Sequence, residues 1–406
     1  MTDSSLRRAF VTGCGVVSPL GCSTTAFWDG LVSGRSALAP IRSFDTSGLT
    51  NMLAGEVADF VPEQHLAAPV DLHGDRIGQY ALAAAGAALR DAGLDLARTD
   101  RTRIGVIAAT TLGSMPIGEA YLRSLHDRAP FPYRQLLHVP YAATATRLAR
   151  ALGVRGPVIS PSIACASGTH AVGHALELIQ CDQVDVVIAG GAEVLCHFVV
   201  AGFNSLRATA PDIVRPFDAR RNGLAVGEGA AILVVESEQH ARARGAATAI
   251  EVAGCGLSGD ALHMTAPAVD GAGAARAMRS ALRAAQLAPT DVDFISAHGT
   301  GTVYNDAMEM AAIGAVFGEA AARIPVNSIK GAIGHTLGAA GSFEAIMCAR
   351  ILRDGVVPPT AGCEQLDPAC RLDIVRGGAR RQPVRVALST SSAFAGNNAA
   401  IVLRRE

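Results

Sequence analysis

Four side chains in this sequence could together do covalent and acid–base chemistry: Cys165, His298, Lys330 and His335. Cys165 sits in Ala164-Cys165-Ala166-Ser167-Gly168, between an apolar strand at 157–159 and an apolar-periodic helix. Small neighbours let a substrate approach the sulfur. A helix that starts just after the cysteine aims free N–H groups and its positive dipole end at that sulfur, which favours the reactive thiolate. Cys165 therefore reads as a nucleophile, against the common alternative of a buried packing cysteine. His298 stands in Ser296-Ala297-His298-Gly299-Thr300-Gly301-Thr302, a Gly/Thr loop at a strand end, with Asn305, Asp306 and Glu309 after it. Lys330 closes Ser328-Ile329-Lys330. His335 opens a glycine-rich turn, with Glu344 on the helix beyond, and the loop 389–398 contains Phe394. Singly, each has a plain structural account: a hydrogen-bonded core histidine, a solvated lysine, a turn. Together, a cysteine at one strand–helix junction and a histidine at a matching one exceed what packing explains.

The 406 residues are 50% hydrophobic and 17% charged, enough for two or three domains or one large duplicated one. A net charge of −1 offers no strong field for nucleic acid or a membrane surface. The nine cysteines follow no zinc or thioredoxin spacing, and no signal peptide is read at the start, which points to a reducing cytoplasm. The longest charge-free apolar run, 156–176, is broken by Pro, Gly, His and Ser and makes a poor membrane span. His170 and His174 share a helix face without a carboxylate at ligand spacing, so helix packing is expected there and no metal.

The elements that carry these residues occur twice. Val252-Ala253-Gly254-Cys255-Gly256 echoes Val11-Thr12-Gly13-Cys14-Gly15, where a strand end and turn are expected at Gly13. The helix around 281–287 echoes 88–94, and the strand at 293–297 echoes 103–109. The strand at 324–327 with the helix after Gly338 echoes the Cys165 strand and helix. Strands at 384–388 and 396–402 echo 184–188 and 229–234. One order, kept twice, predicts an internal duplication near residue 248, with halves 1–248 and 249–406. Alternating strands and helices predict α/β layers with buried sheets. A site at the junction would draw on both halves.

Ala164-Cys165-Ala166-Ser167-Gly168, the H-G-T-G-T-x-x-N-D-x-x-E run from His298, and S-x-K-x-x-x-G-H-x-x-G-A-A-G from Ser328 together resemble the β-ketoacyl-[acyl-carrier-protein] synthases. The elongating synthase II type and its type II polyketide relatives are the nearest group. The opening at 11–21, Arg215-Pro216-Phe217-Asp218 and Gly227-Glu228-Gly229-Ala230 extend the likeness over essentially the whole chain. The resemblance implies a thiolase-like fold, with duplicated αβαβα halves forming a five-layer core. It implies an acyltransferase that condenses an acyl thioester with a malonyl thioester and loses CO₂. Cys165 would carry the acyl chain. His298 and His335 would stabilise the enolate, with Lys330 and Glu344 as the supporting pair. The N–H groups of Cys165 and Phe394 would form the oxyanion hole. Thr300 and Thr302 would bind the carrier's pantetheine arm, and Asp306 would belong to the gating loop. No cofactor or metal is implied; the phosphopantetheine arm arrives on the acyl carrier protein. The expected assembly is a homodimer, or a heterodimer with a chain-length-factor-like subunit, with the 104–141 region reaching the partner's pocket.

The sequence departs from the family's S-F-G-F-G-G-T-N at Ser392, Ala393 and Ala395 around the gate Phe394. Alanine disfavours the positive φ that glycine permits, so a gate that moves less, or along another path, than in ordinary fatty-acid elongation is expected. A segment 206–214 that is short for the family and Val139-Pro140-Tyr141 are further departures. They favour a specialised polyketide or polyene synthase, with housekeeping fatty-acid elongation or a chain-length-factor-like partner subunit as alternatives. Partner subunits of that kind lose the nucleophile, which is present here. A degradative thiolase would carry a second active-site cysteine, and a Cys-His-Asn starter synthase would lack one of the two histidines.

Overall fold

The computed structural model describes residues 6–66 and 75–406. Most of the polar start of the chain, and 67–74 of the polar stretch before the first long helix, lie outside the described residues. The large sheet has eleven strands, numbered here in chain order. They are β1 (Ala9–Val17), β2 (Ile104–Ala109), β3 (Val158–Ile159), β4 (Val186–Glu193), β5 (Gly229–Ser237) and β6 (Ile250–Gly259). The rest are β7 (Phe294–Ser296), β8 (Pro325–Asn327), β9 (Asp373–Ile374), β10 (Val386–Ser392) and β11 (Asn397–Arg405). Their order across the sheet is β9-β8-β7-β10-β11-β6-β1-β5-β4-β2-β3. Apart from β9, the two halves read β3-β2-β4-β5-β1 and β8-β7-β10-β11-β6. The senses repeat as well: β2 is parallel to β3 and β4, and β7 is parallel to β8 and β10, while β4–β5, β5–β1, β10–β11 and β11–β6 are antiparallel; the added edge strand β9 is parallel to β8. The duplication seen in sequence is thus a duplication of topology.

The halves join at β1 and β6 through only three residue pairs, Ala9–Val252, Phe10–Glu251 and Val11–Ile250. The layers are built by α1 (Arg76–Ala92), α2 (Ala142–Leu152), α3 (Ser167–Gln180), α4 (Ala272–Ala284), α5 (Val303–Phe317) and α6 (Ala340–Asp354). Helices α1 and α2 cover the outside of the first half-sheet, and α4, with α5 against it, covers the second. Helices α3 and α6 pack on each other between the half-sheets, each touching strands of both. They are apolar nearly all round, as burial on every side requires. The result is the five-layer α/β thiolase-like arrangement. Among the described residues, no helix is long and apolar enough to cross a membrane.

The expected turn at Gly13 is not there: β1 runs on to Val17, with a register shift between Val11 and Gly13. The glycines have another use. A Cβ on Gly13 or Gly15 would strike the main-chain oxygen of Ala88 or Ala84 on α1. In the second half, Gly254 and Gly256 meet Ala281 and Ala277 of α4 in the same way. Each pair lets a helix seat directly on a strand, so the repeated G-C-G marks helix–sheet contact rather than a chain reversal.

Candidate active site

The nucleophile and the histidines arrive from different halves. Cys165 lies just before α3, and the residue preceding it, Ala164, has φ of 51°, a left-handed conformation that strains a non-glycine residue. That sharp turn brings the sulfur to the helix end. His298 follows β7. Its N–H and that of Gly299 donate to the buried Glu309 carboxylate at 2.6 and 2.7 Å, fixing the loop. His335 follows β8. Its N–H donates to Ala225 O at 2.7 Å, and its carbonyl accepts from Gly227 N at 2.9 Å, so the first half pins it through the main chain.

These elements bring Cys165 Sγ and a nitrogen of each imidazole within 4.8 Å of one another. The rings of His298 and His335 stand edge to face at 5.0 Å. All three residues are buried, at the base of a cleft of about 330 Å³ also lined by Phe203, Thr300, Thr302 and Phe394. Behind them, Lys330 Nζ donates to Glu344 Oε1 at 2.5 Å, with both side chains almost wholly buried.

Burial and the Lys330 charge hold both imidazoles well below their ordinary pKa, so each is neutral and has one N–H to donate. Burial raises the Glu344 carboxyl, and Lys330 opposes the rise. The thiolate expected at Cys165 is not the resting state. Burial pushes the thiol up to about 12, although the Lys330 charge and the N–H groups of Cys165 and Phe394 pull it down. The helix end does not outweigh desolvation, and the proton must leave as the sulfur reacts, with a neutral imidazole in reach to take it. Alkylation by iodoacetamide should therefore be slow at pH 7 and climb with pH through the neutral range without a plateau. Peptide mass spectrometry of Cys165 checks this; a plateau near neutrality would mean a resting thiolate.

The main-chain N–H groups of Cys165 and Phe394 both reach the sulfur. Thr300 and Thr302 line the cleft and share a hydroxyl hydrogen bond at 2.9 Å. Asp306 does not reach the cleft. It is buried under the loop and accepts from Phe217 N at 2.8 Å and Gly301 N at 3.2 Å, so it braces that loop and does not touch the gate. The carboxylate that meets the loop of Phe394 is Asp260, missed in the sequence. Asp260 N donates to Gly396 O at 2.8 Å, and Asn398 Nδ2 donates to Asp260 Oδ1 at 2.8 Å. A lone aspartate in a Ser-Gly-Asp loop carried no signal for this. Of the gate alanines, Ala393 is extended, while Ala395 takes φ of 61° and donates its N–H to Met264 O at 2.7 Å. Ala395 therefore bears the strain that glycine would avoid. Phe394 packs on Phe203 at 5.6 Å.

Glu193, ending β4, was also missed. It accepts from Thr110 Oγ1, Thr111 N and Gly338 N, tying the loop after β2 to the turn after His335, and burial pushes its carboxyl up to about 7. A carboxylate closing a wholly apolar buried strand was the available signal.

Residues 7–241 match the family described as Beta-ketoacyl synthase, N-terminal domain, and residues 249–364 match its C-terminal domain. A relative from Streptomyces halstedii, provisionally named polyketide beta-ketoacyl synthase 1, is 41% identical over 98% of both chains. The 3-oxoacyl-[acyl-carrier-protein] synthase 2 of Staphylococcus aureus (strain COL) is 39% identical over 99% of both. Among solved structures, the ishigamide ketosynthase/chain length factor matches at a TM-score of 0.94 with 39% identity, covering 99% of this chain and 100% of that one.

Proposed function

The chain belongs to the β-ketoacyl synthase family and is a condensing acyltransferase of it, and from that premise we propose how its own residues divide the work. The observation that carries the reading is the placing of Cys165 Sγ and both imidazoles within 4.8 Å. Cys165 attacks the carbonyl of an acyl thioester; the carrier thiol leaves with the proton, and the chain stays on the sulfur. A malonyl thioester then enters beside it. Its bond to CO₂ breaks, and the electron pair moves onto the thioester oxygen as an enolate. The neutral imidazoles of His298 and His335 donate N–H to that oxygen, a preorganised pair that needs no metal or other cofactor. The enolate carbon attacks the acyl-Cys165 carbonyl, the N–H groups of Cys165 and Phe394 hold the oxyanion, and collapse releases the sulfur. The product is a 3-oxoacyl thioester longer by two carbons.

Acyl and malonyl groups come on the phosphopantetheine arm of an acyl carrier protein, with Thr300 and Thr302 along its path. The specialised polyketide or polyene reading is favoured by the strained Ala395 in the gate and by likeness to a ketosynthase solved with its chain length factor. A dimer through the β3 edge suits the apolar side chains Leu125, Tyr133, Leu137 and Val158, all exposed in the single chain. The likeness to a ketosynthase/chain length factor favours a heterodimer over two identical chains. All nine cysteines are free, as in a reducing cytoplasm.

Intact-mass spectrometry tests the proposal. The protein is incubated with acyl-carrier thioesters of graded length and unsaturation, then with malonyl-carrier, with and without EDTA. A mass gain followed by a carrier product two carbons longer, indifferent to EDTA, is expected. Acylation without elongation, alone and with a chain-length-factor subunit, would sink the condensing role proposed for His298 and His335.

A further inference from the structure

A hydrogen-bonded run crosses the seam between the halves just beside the reacting groups. Thr169, in the first turn of α3, lies 2.7 Å from Ser391 Oγ of β10, hydroxyl to hydroxyl. Ser391 Oγ in turn donates to Glu344 Oε2 at 3.5 Å, and the other oxygen of Glu344 holds Lys330 Nζ. Every member is buried. The run has one consistent direction when Glu344 is ionised: Thr169 donates to Ser391, Ser391 donates to the carboxylate, and the ammonium donates from the far side. The meeting is close because α3 and α6 cross on glycine. A Cβ on Gly341 would collide with Thr169, and one on Gly168 would lie 2.8 Å from Ser342 N.

We propose that Thr169 and Ser391 are positioning residues for condensation: a relay from the nucleophile's helix that fixes the Glu344 carboxylate, and through it the Lys330 ammonium, beside the two histidines. Glu344 has one oxygen on Lys330. Among the described residues Ser391 is the group that hydrogen-bonds the other, so without it that oxygen loses its partner and the carboxylate is free to turn about its end. Lys330 is the charge acting on Cys165, His298 and His335 alike, so a shift of its partner displaces the field at all three. Ser391 also lies three residues before Phe394, so the same hydroxyl ties the gate strand to the helix of Cys165. The relay acts on the carbon–carbon bond-forming step and leaves carrier binding alone. This rests on the condensing reading above.

The test compares Thr169→Val, Thr169→Ser and Ser391→Ala with the unaltered protein, following Cys165 acylation by mass and condensation with malonyl-carrier by rate. Thr169→Val keeps the shape and removes the hydroxyl; Thr169→Ser does the reverse. Thr169→Val and Ser391→Ala should each lower kcat for condensation about tenfold, with KM for malonyl-carrier and the extent of acylation unchanged. Thr169→Ser should stay within about twofold of the unaltered protein, and the Thr169→Val/Ser391→Ala double variant should be no slower than the slower single one. Equal losses in Thr169→Val and Thr169→Ser would show a packing role and overturn the relay, as would a Ser391→Ala protein with full kcat. Should Thr169→Val fail to fold, Ser391→Ala and the Thr169→Ser rescue decide alone. An unaltered protein that acylates without condensing overturns the condensing reading itself, and the relay with it.

Discussion

Cys165→Ala loses acylation and condensation together, whereas His335→Ala keeps the acyl-enzyme and loses the second step. The first result follows because only one side chain in the cleft can hold the acyl group as a thioester. Removing it leaves nothing to form the bond, so the mass gain vanishes and elongation falls to background. The second follows from where charge develops. Acylation uses the sulfur, the N–H groups of Cys165 and Phe394, and an imidazole to take the thiol's proton, and with His335 gone His298 still stands within reach of the sulfur. Decarboxylation puts a full charge on the malonyl thioester oxygen, in a pocket from which water is largely excluded. Losing one of two preorganised donors there costs about 10²- to 10³-fold in kcat, roughly 3–4 kcal/mol. Because His335 is held by main-chain bonds to Ala225 and Gly227, its loss leaves the loop in place. The decisive comparison is acyl-enzyme mass against the rate of elongation for the two variants. A His335→Ala enzyme that fails to acylate would move this histidine into the first step.

Lys330→Met unfolds far more readily than the unaltered protein, and the loss grows with pH. The Lys330–Glu344 pair is almost wholly buried. Removing one partner strands the other charge in the core, at about 3–5 kcal/mol. The stranded carboxyl can escape by taking a proton, which sets the sign. Its folded pKa then lies above the unfolded value, so the neutral form protects the fold at acid pH and that protection fades as pH rises through the folded value. Urea unfolding at acid and at neutral pH reads this, and the deficit should be the larger at neutral pH. Adding Glu344→Gln to Lys330→Met should return most of the stability without returning condensation, since no ammonium is left beside the histidines. A double variant that regains full rate would mean that the pair serves the fold alone.

How much of this was legible before the structure depends on the kind of signal. Cys165, His298 and His335 stood out because reactive residue types sat in small-residue loops at strand–helix junctions, whereas the pairing of Lys330 with Glu344 came from the resemblance to the family and not from position. The duplication was legible because the order of elements repeats. What failed was anything decided by the third dimension. The glycines at 13 and 15 looked like a turn because their real partner, α1, lies some seventy residues away. A thiolate was expected from the helix end alone, and desolvation, which no local sequence reports, proved the larger effect at Cys165. Asp306 and Asp260 are both aspartates beside loops. Only packing says that the first braces a loop from beneath and the second grips the gate.

The chain passes from β5 to β6 once, through residues 238–249, and both imidazoles and the Lys330–Glu344 pair lie after that joint while the cysteine of the cleft lies before it. A gene recombined at this joint inherits His298, Lys330, His335 and Glu344 as a set and takes its sulfur from another lineage. The contacts that register His335 on the other half are to main-chain atoms at 225 and 227, which any ancestry supplies. Such a hybrid keeps those bonds if it also keeps Gly227, where a Cβ would strike Ile333 O, Glu193, which accepts from Gly338 N, and Thr169 on the helix of Cys165; with these retained, loading and decarboxylation can drift apart in evolution without the site coming undone.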